Sequence, residues 1–236
     1  MDPVAPLPMR IMAQPGRPLA GLTVFAVEDS RYSSEAMRLL CMRSGARIRR
    51  ADCLRSAIRH LQSYRPDVAI IDLGLPDGDG TGLIRNLANA TPRLPVILGI
   101  SGDPELRDEA IAAGADGFLS KPVENLAMFQ QAIMSALPAN LRHWSPTPVP
   151  NDLIMPDGTS LREDLTHVAD ILSTVSDTSR IDYIARFLGG VARSAHDQTL
   201  EEAANALAKD HRAGRAVATE LARLSAMVQD RLTRTA

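Results

Sequence analysis

Apolar positions along the chain follow two different rhythms. From Gly21 onward, short apolar runs alternate with helical patterns: Leu22–Val27 then Ser33–Ser44, Ala46–Ala51 then Leu54–Tyr64, Val68–Leu73 then Gly82–Ala90, Pro95–Ile100 then Glu105–Ala113, and Gly117–Leu119 then Asn125–Leu137. Five strand–helix units of this size predict a parallel sheet covered on both faces. The runs Val68–Leu73 and Val96–Ile100 are apolar at almost every position, as strands buried on both faces require. The run Ala46–Ala51 instead alternates with arginines, which marks an edge strand with one wet face. This half is expected to be α/β and doubly wound.

Past Leu137 the rhythm breaks. Pro138, Pro146, Pro148, Pro150 and Pro156 crowd a stretch that reads as a linker. Beyond it, Ser160-x-x-Glu163, Ser179-x-x-Asp182 and Thr199-x-x-Glu202 have the form of helix-start capping boxes. Each opens an apolar series at helical spacing: Leu165, Val168, Leu172, Val175; Ile181, Ile184, Phe187, Val191; and Leu200, Ala203, Ala204, Leu207. A fourth series, Val217, Leu221, Leu224, Val228, Leu232, follows the turn at Gly214. The expected organisation is a Pro-rich tail over 1–20, an α/β domain over 21–138, a Pro-rich linker over 139–157, and a smaller all-α module of about four helices over 158–236. No internal repeat is visible.

Composition narrows the function classes. The chain has 236 residues and a formal net charge of -2. Aromatic residues make up 3%, too few for the stacking platforms of single-stranded nucleic-acid binders. The near-neutral balance gives no electrostatic reason to expect nucleic acid or an anionic membrane. The two cysteines, Cys41 and Cys53, form neither a redox nor a zinc pattern. No apolar run reaches the ~20 residues of a membrane span, and prolines interrupt any secretion-signal profile at the N-terminus. A cytoplasmic location follows as the expectation.

In an open doubly wound sheet, ligands collect at the carboxyl ends of the strands. There the first strand offers Glu28-Asp29, the third Asp72, the fourth Ser101 and the fifth Lys121-Pro122. Any one of these could merely cap a helix or shape a loop, but five such groups at one end of successive strands exceed what capping needs. Lysine occurs in this chain only as Lys121 and Lys209, so its presence at a strand end is not background. Clustered carboxylates without His or Cys suit a hard cation that keeps several waters, namely Mg²⁺. A carboxylate supported by such a metal can accept a phosphoryl group as an acyl phosphate. The metal and the lysine would neutralise the transferring oxygens, and a hydroxyl would hydrogen-bond to one of them. The Gly-rich signatures of nucleotide binding do not follow the first strand.

Over residues 21–137 the motifs Val27-Glu28-Asp29-Ser30, Ile71-Asp72-Leu73-Gly74-Leu75-Pro76-Asp77-Gly78-Asp79-Gly80, Ser101-Gly102 and Ala112–Pro122 together resemble the response regulator receiver family (CheY-like). The resemblance implies a flavodoxin-like, five-stranded parallel sheet. It implies that Asp72 is the phosphoacceptor for a histidine kinase or phosphotransfer protein, with no enzymatic activity beyond self-catalysed phosphoryl transfer and autodephosphorylation. It further implies that Glu28, Asp29, Asp72 and the Gly74 carbonyl hold Mg²⁺, that Lys121 contacts the phosphoryl group, and that Ser101, Gly102 and Phe118 form the switch. Two positions depart from the commoner pattern: Glu28 stands for Asp and would reach the metal through water, and Phe118 lacks the phenolic hydroxyl of Tyr. The geometry of the Lys121–Pro122 peptide stays open.

The helical module carries His167, His196 and His211. His196 is the candidate for onward phosphotransfer, but Thr199 and Leu200 stand where phosphotransfer and kinase histidine motifs want other residues, and Thr199 reads as an N-cap. From residue 145 on, ten cations face thirteen anions, a balance of -3 and the wrong sign for a phosphate-tracking DNA-binding surface. The expected output is protein–protein contact, with a downstream partner or a second copy, for which the Ala- and Leu-rich final helices offer apolar faces. Phosphorelay through His196 and DNA-binding transcriptional regulation are the alternatives.

Overall fold

The fold is known from a computed structural model, which describes residues 17–141, 152–174 and 180–234. Five strands, β1 (Thr23–Val27), β2 (Arg47–Ala51), β3 (Val68–Asp72), β4 (Val96–Ser101) and β5 (Gly117–Ser120), form one sheet in the order β2-β1-β3-β4-β5, all parallel. The helices between them are α1 (Arg31–Ser44), α2 (Leu54–Ser63), α3 (Gly80–Asn89), α4 (Arg107–Ala112) and α5 (Leu126–Ala136). The central β3 and β4 are buried at every position, whereas β2 lies at the edge with Arg47, Arg49 and Arg50 exposed. Alternation out of the pleat splits the core in two. Val24, Ala26, Ile70 and Leu98 face α1 and α5, while Phe25, Ala69, Ile71 and Ile97 face α2, α3 and α4. This is a flavodoxin-like receiver fold.

Local chemistry explains the helix ends. Ser30 caps α1 through its side chain to the Ser33 amide, and Gly45, at φ 82°, closes the helix in the left-handed region with bonds back to Cys41 and Met42. Gly80 is required by proximity, since a Cβ there would lie on the Asp72 carbonyl oxygen. That contact lets α3 start directly beneath the end of β3.

Beyond the sheet lie α6 (Gly158–Thr174), α7 (Ile181–Ser194), α8 (Gln198–Arg212) and α9 (Ala218–Arg234). Their apolar stripes meet in one core containing Leu165, Val168, Leu188, Leu207, Leu224 and Val228. Burying each such leucine or valine contributes about 1.5–3 kcal/mol. The Val217–Leu232 series therefore closes the module's own core and is not a free face for a second copy: Leu224 and Val228 are fully buried.

Three sequence expectations need correction. The linker is not wholly a spacer, because the Leu126 amide bonds to the Asp152 carbonyl, the Ile154 amide bonds to the Glu124 carbonyl, and the Ile154 side chain is buried in the α1–α5 core. Its prolines at 146, 148 and 150 lie outside the described residues, as do residues 1–16 of the tail. The end of that tail is built into the receiver, with Leu19 fully buried and bonded to the Ser44 carbonyl. Helix starts also shift. Asp157 takes the Ser160 amide, and Asp197, not Thr199, caps α8 by accepting from the Leu200 amide. Aspartate wins at these ends because its carboxylate both accepts the free amide and complements the positive end of the helix. Ser179 and Val175 are outside the described residues.

Asp197 also pairs with Arg231 of α9, so one carboxylate caps α8 and ties it to α9. The hydrogen bond from Arg231 holds its acidity below the usual carboxylate value of 3.8, more than offsetting burial. The stabilisation is present above that value and is lost as pH falls through the lowered one. Replacing Asp197 by Ala should lower the module's stability by about 1–2 kcal/mol at pH 7, read by urea denaturation, with the difference from wild type shrinking below pH 3.8.

Candidate functional site

The carboxyl ends of β1, β3, β4 and β5 open on one crevice. Oxygens of Glu28, Asp29 and Asp72 lie within 4.8 Å of one another. Lys121, immediately after β5, sends its ammonium between two of them, 2.7 Å from Glu28 Oε2 and 2.8 Å from Asp72 Oδ2, with its side chain only 8% exposed. The Lys121–Glu28 contact is an ion pair without hydrogen-bond alignment, so Glu28 Oε2 is a buried oxygen with no hydrogen-bond donor. The other Glu28 oxygen takes the Ser30 amide at 3.1 Å, and Asp72 Oδ1 takes the Gly74 amide at 3.1 Å.

The electrostatics follow from this crowding. Burial pushes Asp29 up to about 7, reinforced by Asp72 and opposed by Lys121 and by a hydrogen bond from Tyr183. Glu28 is likewise raised, first by burial and then by Asp72 and Asp29, against the pull of Lys121. For Lys121 burial acts in the opposite sense, but the three carboxylates outweigh it and hold the ammonium well above its ordinary value. Three carboxylates against one ammonium leave two formal negative charges uncompensated. A divalent cation would restore the balance, and a cluster of three carboxylates with all-oxygen donors fits Mg²⁺. Asp29, Asp72 and the Gly74 carbonyl are the groups that would hold it, with Glu28 behind them. When bound, it would neutralise charge on transferring phosphoryl oxygens.

The remaining sequence-predicted residues fall around the same crevice. Ser101 ends β4, is 7% exposed, and its hydroxyl accepts from the Asp103 amide at 3.1 Å. Gly102 follows it on the cavity wall. Phe118 lies half-buried on β5, packed toward the α2–α3–α4 core. The Lys121–Pro122 peptide is cis. His196 is elsewhere: it sits between α7 and α8 at φ 55°, and its Nε2 lies 3.0 Å from Glu124 Oε2. That places it in a turn, off any helix.

Sequence reasoning missed that the helical module docks onto this crevice. Asp164 of α6 is buried, and its carboxylate accepts from the Ser30 hydroxyl at 2.8 Å and from the amides of Arg31 and Tyr32 at 2.8 and 3.0 Å. With the Ser30 hydroxyl taking the Ser33 amide and Glu28 taking the Ser30 amide, all four free donors of the α1 N-terminus are satisfied. Tyr183 of α7 donates its hydroxyl to Asp29 Oδ2 at 2.9 Å. Arg193, also on α7, donates to the Gly102 carbonyl and pairs with Glu201. A cavity of about 550 Å³ remains between the crevice and α7–α8. One signal was legible: Asp164 stands three residues after Leu161 and four before Val168, a carboxylate on the inner face of an amphipathic helix.

Comparison with known proteins agrees with this geometry. Residues 24–133 match the response regulator receiver domain. This segment is a receiver domain. The virulence transcriptional regulatory protein PhoP of Salmonella typhimurium LT2 is 33% identical over 117 residues, covering 48% of this chain and 52% of PhoP. The KDP operon transcriptional regulatory protein KdpE of Escherichia coli K12 is 32% identical over 131 residues, covering 56% of each. The chain thus spans about half the length of these curated relatives. Among solved structures, the chemotaxis response regulator CheY4 of Vibrio cholerae is 26% identical, with a TM-score of 0.44, covering 49% of this chain and 98% of that one. Among the described residues no helix is long and apolar enough to cross a membrane.

Because a proton and a cation compete for Asp29, Mg²⁺ affinity should rise with pH and level off above about 7, as read by calorimetry from pH 6 to 8. The hydrogen bond from the Tyr183 hydroxyl stabilises the Asp29 carboxylate and so opposes the upward push of burial, and Tyr183→Phe should move the Asp29 carboxyl resonance midpoint, followed by ¹³C NMR without metal, to higher pH.

Proposed function

We propose that this chain is a two-component response regulator in which Asp72 accepts a phosphoryl group from the phosphohistidine of a kinase or phosphotransfer protein, supported by Mg²⁺, and thereby changes the contacts of the helical module. The observation that carries this reading is the convergence of Glu28, Asp29 and Asp72 in one crevice, two of them paired with the Lys121 ammonium, with the module seated on the same crevice. Asp72 Oδ2 is paired with Lys121, so the ammonium is already where charge would develop on an incoming phosphoryl oxygen. Ser101, whose hydroxyl is held among the described residues by the Asp103 loop amide, can turn toward that oxygen, and the half-buried Phe118 of the neighbouring strand can follow.

The signal need not travel down α5 and through the linker, the covalent route, because Tyr183, Asp164 and Arg193 touch the crevice directly. Phosphorylation replaces the single charge of the Asp72 carboxylate by the roughly -1.5 to -2 of a phosphoryl group, set beside Asp29, to which Tyr183 donates its hydroxyl. The module's docking would therefore change first. Output by protein–protein contact is favoured over DNA binding, since the resemblance to the transcriptional regulators covers only about half of each chain and the residues from 145 on carry a balance of -3. A relay through His196 gains no support from a histidine held in a turn against Glu124.

Asp72→Asn should abolish Mg²⁺-dependent labelling by acetyl phosphate, and full labelling of that variant would overturn the reading. Lys121→Ala should still label but leave hydrogen-exchange protection of the module unchanged on labelling. Sedimentation of the whole protein with and without beryllofluoride should show a change of shape or association, and tight DNA binding at physiological salt without such a change would restore the transcriptional reading.

A further inference from the structure

Helix α7 is anchored at two points of the crevice that belong to different strands. Its Tyr183 reaches Asp29 at the end of β1, and its Arg193 reaches the Gly102 carbonyl just past β4. In the sheet β3 lies between those two strands, so the line joining the anchors passes over the end of β3, where Asp72 stands. Residues 183, 186, 190 and 193 recur at helical spacing and form one face of α7. The residue one turn beyond Tyr183 on that face, and the one charged side chain of α7 between the two anchors, is Arg186.

Arg186 lines the same cavity as Asp72, Lys121 and Ser101. Its Nε donates to the Asp182 carbonyl of its own helix at 3.3 Å, and among the described residues no carboxylate pairs with its guanidinium. By contrast Arg193 is held by Glu201, and Asp182 is taken by His211. Gly190, one turn further along the face, leaves the cavity open: a Cβ there would meet nothing within 4 Å. The α7 wall of the cavity that Asp72 also lines thus carries a cation with no carboxylate partner among the described residues, beside a gap without a side chain.

We propose that Arg186 is a phosphoryl-binding residue, delivered by α7 across the crevice to the oxygens of the group carried on Asp72. This rests on the reading that Asp72 is the phosphoacceptor. A dianionic phosphoryl group brings more negative charge than Lys121 alone can balance, and a planar guanidinium can meet two of its oxygens at once. The helical module then senses the modification through a contact made only after it. Arg186 is exposed and belongs to none of the hydrophobic cores, so replacing it leaves them untouched.

The test titrates beryllofluoride with Mg²⁺ into the full chain as wild type, Arg186→Ala, Arg186→Gln and Arg186→Lys. Calorimetry measures affinity, and ¹⁹F NMR reads the surroundings of the bound anion. Hydrogen exchange at the Arg31 and Tyr32 amides checks that the module remains docked. The expected result is roughly tenfold weaker binding for Ala and Gln, partial recovery for Lys, and displaced ¹⁹F resonances in all three. Unchanged affinity and resonances with docking intact would overturn the role of Arg186 while leaving the phosphoacceptor reading in place. Failure of wild type to bind beryllofluoride, with labelling also absent, would overturn both.

Discussion

Everything at the functional end of this protein depends on one buried ammonium. Three carboxylates within 4.8 Å repel one another strongly in a site from which water is largely excluded. Lys121 makes their coexistence tolerable by pairing with Glu28 and Asp72 at once, and even so Asp29 is left titrating near 7. The arrangement is thus charged in advance for a ligand that brings positive charge, and for a reaction that develops negative charge next to an ammonium already in position. A crevice so under-compensated gains little from packing. Its stability comes from the sheet beneath it, whose central strands are buried at every position.

The helical module answers the same imbalance from the other side. Tyr183 lends a hydroxyl to Asp29, and Asp164 lends a carboxylate to the free amides of α1, so each partner satisfies groups the other leaves open. These contacts are polar and buried or half-buried, which makes them costly to leave half-made. Docking is therefore sensitive to charge at the crevice in a way that an apolar interface of the same size would not be.

The receiver was legible because its signals are local. Consecutive apolar residues in Val68–Leu73 and alternation in Ala46–Ala51 specify a central and an edge strand, and strand-end carboxylates specify a crevice once the strands are parallel. Four amphipathic stripes likewise specified a helical core. What could not be read was the relation between the two parts, because it rests on pairs such as Ser30 with Asp164, separated by 134 residues, that no periodicity encodes. The linker misled for a related reason. Its prolines suggested a free spacer, while Ile154 supplies an apolar side chain that the α1–α5 core takes up. His196 was the most chemical-looking residue of the module, yet Tyr183 and Arg193, ordinary members of an amphipathic series, are the ones that reach the crevice.

Sheet order turns this docking into coupling. Because β3 lies between β1 and β4, a helix bridging the ends of those two strands crosses the end of β3, where Asp72 stands, and α7 does so with Tyr183 and Arg193 as its footings. Charge added at Asp72 and release or tightening of α7 are then two sides of one linked equilibrium. Whatever free energy modification contributes to moving the module, the position of the module returns to the ease of modification. If Asp72 accepts a phosphoryl group as proposed, a partner that holds the helices away from the crevice would change that phosphorylation equilibrium by the same factor with which phosphorylation changes the partner's affinity.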